Sequence, residues 1–148
     1  MIRSLLAVLG VATSLFLAGC STPPERRLDA PSLTVTRLTV AADSATLDLK
    51  FTNPNTVPLV IDHSFHTLVL GNTSIGRIDD KQPIGLPPLG SITHSVTLNS
   101  ALAAKARAAL AQSPGEVRAH VGSALEVTTS DDDTITLKAS GTGLVKSK

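Results

Sequence analysis

Cysteine and aromatic residues are scarce in this 148-residue chain, and their scarcity excludes several classes of protein. Cys20 is the only cysteine, so the chain cannot form a disulfide framework and its fold has to be held by its core. Tryptophan and tyrosine are absent, and there are three phenylalanines. Because 13 basic residues are balanced by 12 acidic ones and no aromatic platform exists, nothing in the sequence favours nucleic-acid binding.

The apolar residues are mostly Val, Leu, Ile and Ala, and they follow the two-residue period of β-strands. Thr, Val and Ile are branched at Cβ and favour pleated structure, so their abundance from Leu33 onward predicts an all-β domain. Alternation is clearest over residues 45–51 and 92–98, where one face is apolar and the other polar. Further strands are predicted at 33–40 with a bulge near Thr36-Arg37, at 59–70 with a second bulge, and at 73–78, 117–128 and 134–145; residues 79–81 and 83–90 are predicted loops.

After residue 98 the apolar period becomes that of a helix. Ser100 is the candidate N-cap, and Pro114-Gly115 ends the run. We expect this helix to cover an open end of the domain, since its few basic residues argue against a membrane-surface role. The predicted fold is therefore a two-sheet antiparallel β-sandwich of about seven strands with one short helix. The apolar stripe of the helix consists of Leu102, Ala106, Ala109 and Leu110.

The first 19 residues have the pattern of a signal peptide. Arg3 supplies a positive charge, and residues 5–16 form an apolar run that is shorter than the roughly twenty residues needed to span a bilayer. The run closes with Leu17-Ala18-Gly19-Cys20, which resembles the lipobox of bacterial lipoproteins. This resemblance implies cleavage before Cys20 and attachment of acyl chains to it; the alternative is a buried free cysteine in a tail anchor. Two or more acyl chains would anchor stably, because each buried methylene contributes about 0.8 kcal/mol.

Residues 20–31 are predicted to be a lipidated tether, and residues 32–148 a single domain. Two prolines and three charged residues at 23–27 suit a polar spacer, which at about 3.3 Å per residue could reach roughly 30 Å. The arginine pair there is interpreted as solvated linker charge, the alternative being contact with anionic headgroups. Ser21 follows Cys20, and in having no Asp at this position the sequence resembles lipoproteins that are sorted to the outer membrane. We therefore expect a monomer in the cell envelope, anchored in the outer membrane and facing the periplasm.

The strand over residues 45–51 stops at Asn53-Pro54-Asn55. Pro54 has no amide hydrogen and pushes Asn53 toward extended backbone, while Asn55 can adopt a left-handed conformation and start a corner. An extended strand that ends in Asn-Pro-Asn resembles the late-embryogenesis-abundant type 2 family, also called the water-stress and hypersensitive-response domain.

The resemblance covers roughly residues 31–145. It is carried by the order of an opening strand at 31–40, an aromatic strand with Phe65, and the Gly71-Asn72 and Ile75-Gly76 pairs before the strand at 92–98. It implies a small two-sheet sandwich with a helix, and a role in protection during dehydration, cold or other envelope stress.

Four histidines are the candidate metal ligands or catalytic groups: His63, His66, His94 and His120. His63 and His66 differ by an odd number of positions, so a regular strand points them to opposite faces unless a bulge intervenes. His94 is in phase with core residues and is interpreted as a hydrogen-bonded histidine at the rim, and His120 is on the polar phase of its strand. We therefore predict no metal site and no cofactor.

Three further patterns carry residue types found in active or binding sites. Asp62-His63-Ser64 contains the members of a nucleophilic triad, but adjacent strand residues cannot face one another and no Gly-x-Ser-x-Gly elbow is present. The acidic run at 131–133 lacks the spacing and final Glu of an EF-hand loop and is interpreted as a solvated hairpin turn. Gly141 and Gly143 lack the Lys-Ser/Thr of a phosphate loop. We predict no catalytic residues and no enzymatic activity.

Two functional hypotheses remain. The leading one is a non-enzymatic lipoprotein, held in the membrane through Cys20, that protects envelope components during desiccation or other stress. The alternative is a periplasmic adaptor whose edge strand or concave face binds a peptide, a lipid or an envelope-complex subunit. Protection should tolerate surface substitutions, whereas an adaptor should lose function when one patch changes.

Overall fold

A computed structural model describes residues 27–113, 115–129 and 132–146, and within these ranges the chain forms eight strands and one helix. The predicted all-β class is confirmed, with eight strands in place of about seven. The predicted signal peptide and Cys20 lie outside the described residues. The elements are β1 Ser32–Val40, β2 Ala45–Thr52, β3 Leu59–Leu70, β4 Thr73–Asp80, β5 Ile84–Leu86, β6 Ser91–Leu98, α1 Ser100–Ala111, β7 Glu116–Thr128 and β8 Thr134–Lys146.

The strands form two antiparallel sheets that enclose one core. The small sheet has the order β1-β2-β6, and the large sheet has the order β4-β3-β7-β8. β5 pairs with residues 59–61 of β3, on the side opposite β7, and so continues the edge that β4 begins. β1 and β6 are thus the edges of the small sheet, and β8 and β4 with β5 are the edges of the large sheet.

The core is built from one face of each strand, as the sequence alternation predicts. In β2 the side chains of Leu47, Leu49 and Phe51 are fully buried, whereas Lys50 on the other face is exposed. Full burial of an aliphatic or aromatic side chain stabilises a fold by roughly 1.5–3 kcal/mol. The large sheet contributes fully buried residues to the same core: Leu59, Ile61, Leu68, Ile75, Leu125 and Val127.

The helix α1 packs against strands of both sheets and covers one end of the sandwich, as expected. Its N-cap is Asn99 and not Ser100, because the Asn99 side chain accepts a hydrogen bond from the Leu102 amide at 3.0 Å. Gly76 of β4 has a φ of +140°, and a Cβ there would come within 2.8 Å of the Leu102 side chain. The buried face of α1 consists of Ala103, Ala106, Ala109 and Leu110.

Two segments expected to be loops contain strand residues. Asp79 and Asp80 belong to β4, where they pair with Phe65 and Ser64 of β3. The strand β5 lies within the expected loop at 83–90. Its three residues stand between prolines and are too few for an alternating pattern to appear in the sequence.

The expected hairpin turns and bulges are present, but Asn55 does not adopt a left-handed conformation, since the non-glycine residues with positive φ in the described ranges are Leu89 and Asp132. Gly71 has a φ of +57° in the predicted hairpin turn between β3 and β4. The Thr129 amide donates to the Asp133 carbonyl at 2.9 Å in the turn between β7 and β8, although Ser130 and Asp131 lie outside the described residues. The register of β1 against β2 shifts around Thr36, and the register of β3 against β7 shifts around Asp62.

Along one side of the sandwich the edge strands β1 and β8 come into contact. A Cβ on Gly141 would lie 2.1 Å from the Leu33 carbonyl oxygen, and one on Gly143 would lie 1.9 Å from the Val35 carbonyl oxygen. Only glycine leaves room for a main chain to approach this closely. These glycines therefore bring the two sheets together along this side.

Candidate functional site

The Asn-Pro-Asn corner is a hydrogen-bonded junction between β2, the β5 region and the segment that precedes β1. Asn53 is 1% exposed, and its Nδ2 atom donates to the carbonyl oxygens of Val57 at 2.8 Å and Pro87 at 3.1 Å. Its Oδ1 atom accepts from the Asn55 amide at 2.9 Å. Asn55 in turn bonds Asp29 twice, accepting from its amide at 2.9 Å and donating to its carbonyl at 2.8 Å. The motif therefore fixes where the N-terminal segment enters the sandwich.

His63 lies on the outer face of the large sheet between two carboxylates. Its Nε2 atom bonds Asp79 Oδ1, and its Nδ1 atom is 3.4 Å from Glu126 Oε2. The hydrogen bond with Asp79 raises the pKa of His63, and the same bond lowers the pKa of Asp79. Phe65 packs beside the imidazole with ring centroids 4.3 Å apart, and the Arg77 guanidinium lies 3.9 Å from the centre of the Phe65 ring.

His66 lies on the opposite face of β3, fully buried between the sheets, as its odd spacing from His63 predicts. Hydrogen bonds join His66 Nε2 to Ser64 Oγ at 2.9 Å and His66 Nδ1 to Ser123 Oγ at 2.7 Å. Burial lowers the pKa of His66 to about 4, so the imidazole is neutral at pH 7. Every buried side-chain nitrogen and oxygen atom in the described part of the chain has a hydrogen-bond partner, and this network is one reason.

His94 and Asp80 connect the two sheets at the side opposite β1 and β8. The His94 Nε2 atom of β6 is 2.6 Å from the Asp80 Oδ2 atom of β4, and both side chains are largely buried. His94 is therefore the hydrogen-bonded rim histidine that the sequence predicts. His120 is exposed on β7, also as predicted.

The three residue types of a nucleophilic triad are separated by the fold. Asp62 accepts a hydrogen bond from Thr128 Oγ1 at 2.5 Å, His63 bonds Asp79, and Ser64 is buried against His66. Since each member has a different partner, no proton relay links them.

Across the described ranges no group of three or more His, Cys, Asp or Glu side chains is placed to hold a metal ion. The same ranges contain no helix that is long and apolar enough to cross a membrane.

The outer face of the small sheet is a grid of hydroxyl groups, hereafter the hydroxyl face. Strand pairing arranges twelve of its side chains in four rows of three, and apart from Arg37, Asp48 and Lys50 all of them are Ser or Thr. Neighbouring strands lie about 4.8 Å apart, so these groups form a regular array. The rows, each across β1, β2 and β6, are Ser32-Thr52-Ser91, Thr34-Lys50-Thr93, Arg37-Asp48-Ser95 and Thr39-Thr46-Thr97.

Large exposed apolar side chains lie elsewhere. In the described residues they are Val60, Leu89 and Leu144, none of which belongs to the small sheet. Two hydrogen bonds link hydroxyl-face side chains to one another, between Thr52 and Ser91 at 2.7 Å and from Ser95 to Asp48 at 2.6 Å. Sequence reasoning identified the polar phase of each strand but not this face, because the order β1-β2-β6 cannot be read from the chain order.

No protein-family model matches the sequence, and no curated protein does. Among solved structures, the chain is similar to AT1g01470 from Arabidopsis thaliana, with a TM-score of 0.57 and 16% identity over 82% of this chain and 84% of that one. It is also similar to At2g46140.1, named a "putative late embryogenesis abundant (LEA) protein", with a TM-score of 0.54 and 17% identity over 80% of this chain and 71% of that one. The protein therefore has an LEA-like fold.

Proposed function

We propose that this protein is a non-enzymatic lipoprotein of the late-embryogenesis-abundant type 2 kind, anchored through Cys20 and protecting envelope components during desiccation or other stress. The LEA-like fold and the lipobox-like Leu17-Ala18-Gly19-Cys20 support the two parts of this proposal. The observation that carries the protective part is the hydroxyl face.

A hydroxyl group both donates and accepts hydrogen bonds, so an array of them can bond the last remaining water, a sugar or the polar surface of a neighbouring protein. The hydroxyl face carries no large apolar side chain, and concentrated chains gain little by associating through it. The core is made by the opposite face of the same strands, so the hydroxyl face can bond water or a substitute for it without any change in core packing.

The test is to dry or freeze and thaw a labile enzyme with the chain from Ser21 onward, beside an inert globular protein at equal mass. We expect recovery of enzyme activity well above the inert control. A triple variant, Thr34→Val with Thr93→Val and Thr97→Val, should reduce the protection because it replaces exposed hydroxyls by methyl groups of similar shape. The matched control carries the same change at exposed threonines of the large sheet, Thr67, Thr136 and Thr142.

Recovery no better than with the inert protein would contradict the protective role. Equal loss of protection in both triple variants would contradict the assignment to the hydroxyl face.

Anchoring is tested separately in cells with the full-length chain. A clickable palmitate analogue should label the wild type in the membrane fraction, and Cys20→Ala should lose the label and leave that fraction. Ser21→Asp should keep the label and move the protein from the outer to the inner membrane. Label that survives in Cys20→Ala would show that the cysteine is not the attachment site.

A further inference from the structure

A groove of about 940 Å³ lies between the edges of the two sheets, at the end of the sandwich covered by α1. Residues 36–42 form one wall, residues 144–146 form the other, and the C-terminal half of α1 closes the groove. Successive strand residues point to opposite faces, so walls made of consecutive residues are strand edges and not strand faces. The groove therefore exposes the main chains of β1 and β8.

The position of the groove follows from two local features. Up to Val35, the glycines of β8 hold the two edges in contact. At Thr36 the bulge interrupts β1, and bulges bend the strand that contains them. The groove begins at the next residues of both strands, Thr36 and Leu144.

Main-chain groups along these edges are available to a further strand. In the described residues no backbone hydrogen bond joins β1 to β8. The Arg107 guanidinium donates to the carbonyl oxygens of Ala41 and Ala42, so at the end of the groove a side chain bonds the carbonyls just past β1. A free edge of this kind is a template for an added strand.

The groove is positively charged and partly apolar. Arg37, Arg107 and Lys146 line it, and none of the described residues that line it is Asp or Glu. Lys146 is 3.5 Å from Glu116 but is 76% exposed, so its charge remains accessible. Leu110 lies under the groove, and Leu144, which is 59% exposed, borders it.

We propose that this groove binds an extended acidic segment of a partner protein, which adds as a strand along the free edge of β1. Its acidic side chains would lie toward Arg37 and Arg107, and its alternate apolar side chains toward Leu110 and Leu144. An anionic lipid would satisfy the charge, but its acyl chain cannot bond the main-chain donors and acceptors of the walls. The binding does not depend on the protective role proposed above.

The test uses the full-length protein in detergent micelles and three end-blocked, dye-labelled nonapeptides. They alternate valine with glutamate, with lysine or with serine. We expect fluorescence anisotropy to show at least tenfold tighter binding of the glutamate peptide than of the other two, with affinity that falls as salt is raised. Hydrogen exchange should show new protection at amides within 36–40.

Variants locate the site. Arg37→Glu and Leu144→Asp should each weaken binding of the glutamate peptide at least tenfold. The matched controls are Lys50→Glu, a charge reversal on the hydroxyl face, and Val60→Asp, an acid at another exposed aliphatic residue, 45% exposed on β3; both should stay within twofold. Circular dichroism melting checks that each variant is folded.

Three outcomes would overturn the proposal. The first is equal affinity for the three peptides, and the second is binding that neither groove variant weakens. The third is saturable binding of dioctanoyl phosphatidylglycerol that Arg37→Glu abolishes, together with no binding of the glutamate peptide, which would assign the groove to an anionic lipid.

Discussion

Along one side of the sandwich β1 lies against β8, and along the other β6 lies beside β4, and the two sides are joined by different chemistry. On the first side the carbonyl oxygens of Leu33 and Val35 are in close contact with the main chain at Gly141 and Gly143. On the second side a hydrogen-bonded pair, His94 and Asp80, spans the gap at 2.6 Å. One junction consists of main-chain atoms and the other of titratable side chains.

The two sides of the sandwich should therefore be sensitive to different changes, one to substitution and the other to pH. A main-chain contact does not titrate, but it leaves no volume for any side chain, so the β1–β8 side should respond to substitution and not to pH. On the other side, Asp80 and His94 lie near enough to His66 to affect its pKa. Three ionisable groups therefore cluster there, and that side should respond to pH.

The largest expected effect is that of Gly143→Ala. The new Cβ would lie 1.9 Å from the Val35 carbonyl oxygen, and the obstacle is main chain that cannot rotate away. We expect a loss of about 3 kcal/mol in the free energy of unfolding, the upper end of the usual cost of overpacking. Urea denaturation followed by far-ultraviolet circular dichroism measures it.

Gly122→Ala is the matched control, since a Cβ on that β7 glycine meets no atom within 4 Å. It should change the free energy of unfolding by no more than about 1 kcal/mol. If Gly143→Ala proved as stable as Gly122→Ala, the β1 edge would be free to move and the close contact would not join the sheets.

The second prediction is that the protein loses stability as the pH falls. The pKa of His66 is about 4 in the folded protein, whereas that of an unfolded histidine is about 6.5, so between these values the unfolded chain binds more protons. The contribution of His66 to stability is complete above about pH 6.5 and is lost as pH falls toward 4. The shift corresponds to about 3 kcal/mol, at about 1.4 kcal/mol per pKa unit.

His63 acts in the opposite direction, because its raised pKa favours the folded state below pH 6.5. The comparison of wild type with His66→Gln isolates His66. Urea midpoints should fall between pH 7.5 and pH 4.5 more steeply in the wild type than in the variant. Parallel pH profiles would show that His66 is solvated and titrates normally.

The sequence predicts the first of the two sides less well than the second. Alternation located β1 and β8, and the odd spacing of His63 and His66 correctly placed them on opposite faces. The role of Gly141 and Gly143, however, cannot be predicted from the sequence, because a glycine shows that a close approach is possible but not which strand approaches. That neighbour is set by the long-range order of the strands.

On the second side the sequence predicts the position of His94 but not its partner, Asp80. Asp79 and Asp80 have low strand propensity and follow an apolar residue, so the sequence predicts a loop there. Pairing with β3 keeps them in β4, and consecutive strand residues point to opposite faces. Asp79 therefore meets His63 outside, and Asp80 meets His94 inside.

The smallest expected effect is the coupling between His94 and Asp80. The side chains are 12% and 11% exposed, so solvent screens the pair only partly, and the two groups also bond directly at 2.6 Å. A double-mutant cycle with His94→Gln and Asp80→Asn should give a coupling energy of about 1 kcal/mol at pH 6.

The control cycle is Lys50→Gln with Asp133→Asn, two exposed positions without a mutual contact, and it should give no coupling within error. A coupling for His94 and Asp80 as small as that of the control pair would mean that apolar packing alone holds β6 beside β4, and the two sides of the sandwich would then differ in tolerance to substitution but not in chemistry.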